Sequence, residues 1–70
     1  MKNLNEIIGT IVGMKKYSYT NPKLISDIIH DAVLIEGSTS HKIGIVMHKE
    51  KYSLVDSKII ANIVHDMEEI

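Results

Sequence analysis

The chain has 70 residues, a formal net charge of −1 and no cysteine. A domain this small buries only about 60% of its unfolded surface, and without cysteine neither disulfides nor thiolate metal sites can reinforce it, so oligomerisation is the support to expect. All eight basic residues are lysine; this disfavours a dedicated DNA-binding surface built on bidentate arginine contacts and leaves room for local capture of an anion.

The N-terminal stretch Met1 to Glu6 has no signal-peptide hydrophobic core, and no apolar run is long enough to span a bilayer. We therefore expect a cytoplasmic protein with no membrane partner. Ile7 to Met14 reads as a strand, weakened by Gly9 and Gly13, that turns near Lys15 and returns through Tyr17 and Tyr19. Asn21 is a good N-cap and Pro22 follows at the first helical position. The stripe Leu24, Ile25, Ile28, Ile29 and Ala32 predicts a helix ending between Asp31 and Glu36, with Gly37 as the stop. Gly37 to Ser40 reads as a flexible polar linker.

Ile43, Ile45 and Met47 alternate with Gly44, Val46 and His48, the period of a strand with one buried face. His48 to Lys51 suits a hairpin turn, and Tyr52 and Leu54 alternate with Ser53 and Val55 in a short return strand. Asp56 then caps a second helix carrying the stripe Ile59, Ile60, Ile63, Val64 and Met67. The expected fold class is α+β, a ββαββα order forming a four-stranded, mostly antiparallel sheet with both helices on one face. Its uncovered face or a free edge is the expected place for subunit contact.

The second half repeats the first. Displaced by thirty-five residues, Ile8 to Asp31 falls on Ile43 to Asp66 without a gap, with Gly9/Gly44, Lys16/Lys51, Tyr17/Tyr52, Ser18/Ser53, His30/His65 and Asp31/Asp66 among the identities. A fixed-period match implies one supersecondary unit used twice. A single domain over 1–70 made of two repeats, about 5–35 and 40–70, is expected, and any site should come in two copies.

The proline-started helix Asn21-Pro22-Lys23 to His30-Asp31-Ala32, the following Leu34-Ile35-Glu36-Gly37, and Ile43-Gly44-Ile45-Val46-Met47 through Ser53 together resemble the RemA-type regulators. Those are small bacterial proteins that assemble into rings and bind DNA. The resemblance covers most of the chain with small insertions and deletions, and it implies a ring-forming homo-oligomer. The family's arginine-rich loop is replaced here by Ser38-Thr39-Ser40-His41-Lys42, so only Lys42 and His41 stand where the DNA-contacting residues would be.

Three groups of residues could carry chemistry. Lys16-Tyr17-Ser18 and Lys51-Tyr52-Ser53 combine a cation, a hydroxyl and an aromatic ring, enough to grip a phosphate and stack a base. The same residues also suit a structural role, with the tyrosines in the core, their hydroxyls at its rim and the lysines keeping a sheet edge soluble. The loop Gly37 to Lys42, with His41 and Lys42, either cradles an anion through backbone N–H groups or simply links the repeats. His30-Asp31 and His65-Asp66 suggest either a two-histidine metal site across the halves or a boundary histidine followed by a solvated acid. Adjacent helical residues point about 100° apart, which favours the second.

No catalytic motif is present, so no enzyme activity, metal or cofactor is expected. The expected function is a non-enzymatic, homo-oligomeric regulatory protein holding an anionic ligand, nucleic acid or a small nucleotide signal, at subunit boundaries. The ligand-binding residues would be Lys16, Tyr17, Ser18, Lys51, Tyr52, Ser53, His41 and Lys42. The alternative is a small phage-type inhibitor that acts on a host protein by protein–protein contact.

Overall fold

A computed structural model describes residues 3–70. Met1 and Lys2, the start of the N-terminal stretch expected to carry no signal peptide, lie outside the described residues. The element order is α1 (Leu4–Val12), a 3₁₀ turn (Lys15–Tyr17), α2 (Pro22–Val33), α3 (Thr39–Met47), a second 3₁₀ turn (Glu50–Tyr52) and α4 (Ser57–Glu69). Among the described residues there is no strand. The expected α+β, ββαββα architecture is therefore corrected to an all-helical one, and the sheet face and sheet edge expected to make subunit contacts do not exist.

The physical reason lies in the spacing of the apolar residues. Leu4, Ile7, Ile8, Ile11 and Val12 recur at i, i+3, i+4, i+7 and i+8, a helical stripe that packs into the core. The β-branched Ile7, Ile8, Ile11 and Val12 suggest a strand, but burial of that stripe decides otherwise. In the second copy Ile43 and Val46 face the core, while Ile45 and Met47 are partly exposed, so the apparent alternation does not describe a buried face. The expected return strands are the two 3₁₀ turns and the turns that follow. Tyr17 and Tyr52 are buried, whereas Tyr19 and Leu54 are wholly exposed; in a strand each pair would share a face.

Each helix has a side-chain N-cap. Asn21 and Asp56 accept from the backbone N–H of Lys23 (2.8 Å) and Lys58 (2.9 Å), and Pro22 opens α2. Ser38 accepts from His41 N–H at 3.2 Å, and Asn3 accepts from Glu6 N–H at 2.9 Å. Asn3 also donates from its amide to the Glu6 carboxylate at 3.0 Å, a side-chain variation on the capping box. The expected linker thus shifts toward the N-terminus: Ser38 caps α3, Thr39 and Ser40 form its first turn, and the connection runs from Leu34 to Ser38.

The elements repeat at the sequence period. Leu4–Val12 and Thr39–Met47 are thirty-five residues apart, as are Lys15–Tyr17 and Glu50–Tyr52. The buried core follows the same rule: Ile11/Val46, Tyr17/Tyr52, Ile25/Ile60, Ile28/Ile63, Ile29/Val64 and Ala32/Met67 account for all of it. Helices of nine to thirteen residues are marginal alone, so this shared interior holds them. α2 and α4 pack on each other, and each also packs on both α1 and α3. Neither repeat closes its own core; α1 lies on α4 as well as α2, and α3 lies on α2 as well as α4. No helix among the described residues is long and apolar enough to cross a membrane.

Candidate functional site

The repeated Lys-Tyr and His-Asp pairs meet across the halves. The 3₁₀ turn after α1 places Tyr17 against the last third of α4, where its hydroxyl donates to Asp66 Oδ2 at 2.5 Å. Lys16 Nζ lies 2.8 Å from the same oxygen and 3.0 Å from Oδ1. In the other direction Tyr52 donates to Asp31 Oδ2 at 2.6 Å, and Lys51 Nζ lies 2.8 Å from that oxygen. Each lysine also stands over the ring of its own neighbour, 5.4 Å from the Tyr17 centroid and 5.2 Å from that of Tyr52. The same three-residue latch is thus built twice, each repeat supplying lysine and tyrosine to one and aspartate to the other.

The acid is the more buried end: its side chain is 12–19% exposed, against 54–55% for the lysines. Burial alone would raise the carboxyl pKa values. The lysine and tyrosine hydrogen bonds and the lysine charge outweigh it and hold Asp31 and Asp66 below the usual aspartate range. Both phenols are pushed well above the ordinary tyrosine value, first by burial and then by donation to a carboxylate. At neutral pH each latch is a protonated phenol and an ammonium on an ionised carboxylate.

The residues expected to hold an anion are therefore placed as follows. Lys16 and Lys51 pair with acids of the opposite repeat. Tyr17 and Tyr52 are buried with their hydroxyls committed. Ser18 and Ser53 cap the 3₁₀ turns and are exposed. Lys42 reaches from α3 to Glu68 on α4, an ion pair with no counterpart in the first half. His41 lies exposed beside Gly37. The structure brings Lys-Tyr together with an aspartate on each side, and it does not gather these residues around one open site. By sequence, Asp31 and Asp66 read only as metal ligands or solvated acids; the recurrence of both dipeptides at one period is the signal that they belong together. Among the described residues no three or more His, Cys, Asp or Glu side chains converge as a metal site.

A shallow, largely solvent-open groove of about 490 Å³ lies elsewhere, on the outer face of α3, lined by Ser40, His41, Gly44, Ile45 and His48. Gly44 is part of its lining, and a Cβ there would meet nothing within 4 Å; the same holds for its counterpart Gly9 on α1. His48 Nδ1 donates to the Gly44 carbonyl at 2.6 Å, which fixes one ring at the groove's end. The groove is hidden from the sequence because Ile43 to Met47 reads there as a strand.

No protein-family model, curated protein or solved structure matches this chain. Fold and latches together define it as a duplicated two-helix unit closed on itself.

Proposed function

We propose that the chain is a non-enzymatic protein-interaction module that receives a helix of a partner protein along the outer face of α3. The observation that carries this reading is the shallow groove whose lining includes Gly44, with open space above it. A glycine inside a helix costs about 1 kcal/mol relative to alanine, and this chain's own packing gives no reason for it. A partner backbone approaching closely would. Ile45 supplies apolar surface, and Ser40, His41 and His48 supply polar groups beside it. The lining contains no carboxylate, so the fitting partner presents a small or apolar stripe with acidic or neutral flanks. A host protein met by a phage-type inhibitor is one such partner, and a cytoplasmic setting accords with a cysteine-free chain.

The anion-binding reading is the weaker one, because Lys16, Lys51 and Lys42 would each have to leave a carboxylate to serve it. A photo-reactive residue at Ile45, compared with one at its counterpart Thr10, tests the leading reading in cells that make the protein. The expected result is one dominant protein adduct from position 45 that disappears with Gly44→Glu. Equal labelling from both positions, or adducts only with nucleic acid, overturns it.

A further inference from the structure

We propose that this chain pairs with a second copy of itself by exchanging repeats, repeat 1 of each copy closing on repeat 2 of the other. This inference stands on the latches and the hinge, independently of the groove on α3. Among the described residues the side-chain ties between the halves are reciprocal: Lys16 and Tyr17 hold Asp66, Lys51 and Tyr52 hold Asp31, and α2 and α4 share the core. None of these contacts depends on the halves belonging to one chain. Two copies can satisfy all of them with no new surface, the condition under which swapping costs least.

Core sizes decide which halves pair. Ala32 in repeat 1 corresponds to Met67 in repeat 2, and both are buried. A core built from two copies of repeat 1 would hold two alanines and lose volume, and one built from two copies of repeat 2 would hold two methionines and gain it. Repeat 1 with repeat 2 gives the native volume whether within one chain or between two.

The hinge is the segment from Leu34 to Ser38, and its closed form depends on one residue. Gly37 has φ +119°, a region that side-chain-bearing L-residues rarely adopt. A Cβ there would also come within 2.9 Å of the His41 ring. With glycine the short connection keeps the partner half close and favours self-closure. Any other residue strains the turn, and an extended hinge relieves that strain by sending repeat 2 to another copy.

Light scattering on Gly37→Val, and on a second variant lacking Glu36 and Gly37, tests this. Wild-type chain of 7.9 kDa refolded at millimolar concentration should yield a minor, slowly exchanging species of twice that mass, and both variants should raise its share at least tenfold. Isotope-filtered NMR on a mixed-label dimer should then place the Tyr17 ring against α4 of the other copy. The proposal is overturned if neither variant gives a folded dimer, or if the dimer keeps the Tyr17 contact within one copy.

Discussion

Tyr17 donates its hydroxyl to Asp66, forty-nine positions along the chain, and Tyr52 donates to Asp31 in the reverse direction. Two identical bonds running oppositely make the fold a closed pair in which neither half is the scaffold. Tyr17→Phe and Tyr52→Phe should therefore destabilise by similar amounts, about 1–2 kcal/mol each, as expected for a hydrogen bond to a charged group that keeps its lysine partner. Urea melts that differ by much more than this between the two variants would show that the latches are not equivalent.

The latches also set the pH response. Asp31 and Asp66 have lowered pKa values in the folded chain. Their contribution is complete above the unfolded aspartate value, about 3.9, and is lost as pH falls through the folded values. The tyrosine values are raised, so their contribution is complete below the unfolded value, about 10, and is lost as pH rises through the folded ones. Stability should be flat between those limits as far as the latches are concerned. Asp31→Asn with Asp66→Asn should remove the latch part of the acid-side loss, as read by thermal melts from pH 2 to 6.

Gly44 should separate folding from binding. Gly44→Ala fills empty space on a helix and should raise stability by about 0.5–1 kcal/mol, and Gly9→Ala should do the same. If a partner helix approaches at Gly44, that substitution alone should weaken adduct formation from position 45. Equal stabilisation with unchanged cross-linking from both variants would remove the reason for placing the partner on α3.

The buried pair Ala32 and Met67 should behave asymmetrically. Ala32→Met overfills the interior and should cost about 1–3 kcal/mol, while Met67→Ala leaves a void and should cost about 2–5 kcal/mol. The two together keep the total core volume, and a cost below their sum would show that the two positions share one space. Strict additivity in denaturant melts would show that these positions do not share one space.

Several features are legible in the amino-acid sequence. The duplication is visible in the shared Gly, Lys-Tyr-Ser and His-Asp. Asn21-Pro22 and Asp56 mark the starts of α2 and α4, and the Ile stripes on those helices are buried as expected. These signals are local: a cap and a stripe of period 3.6 need no partner to be recognised. Asn3 with Glu6, and Ser38 before Ile43 and Val46, carry the same kind of signal for α1 and α3, but glycines and β-branched residues in those windows read as strand.

What the amino-acid order determined by itself is the period of thirty-five and the pairing of equivalent core positions, because both are counted along the chain. Only the tertiary structure decided that Ile7 to Met14 and Ile43 to Met47 belong to the helical fold, and that Lys16 and Lys51 meet acids rather than a ligand. A short apolar segment takes whichever form buries its side chains against what lies opposite, and a lysine takes whichever anion the fold brings within reach. Both depend on residues distant along the chain that local pattern does not contain.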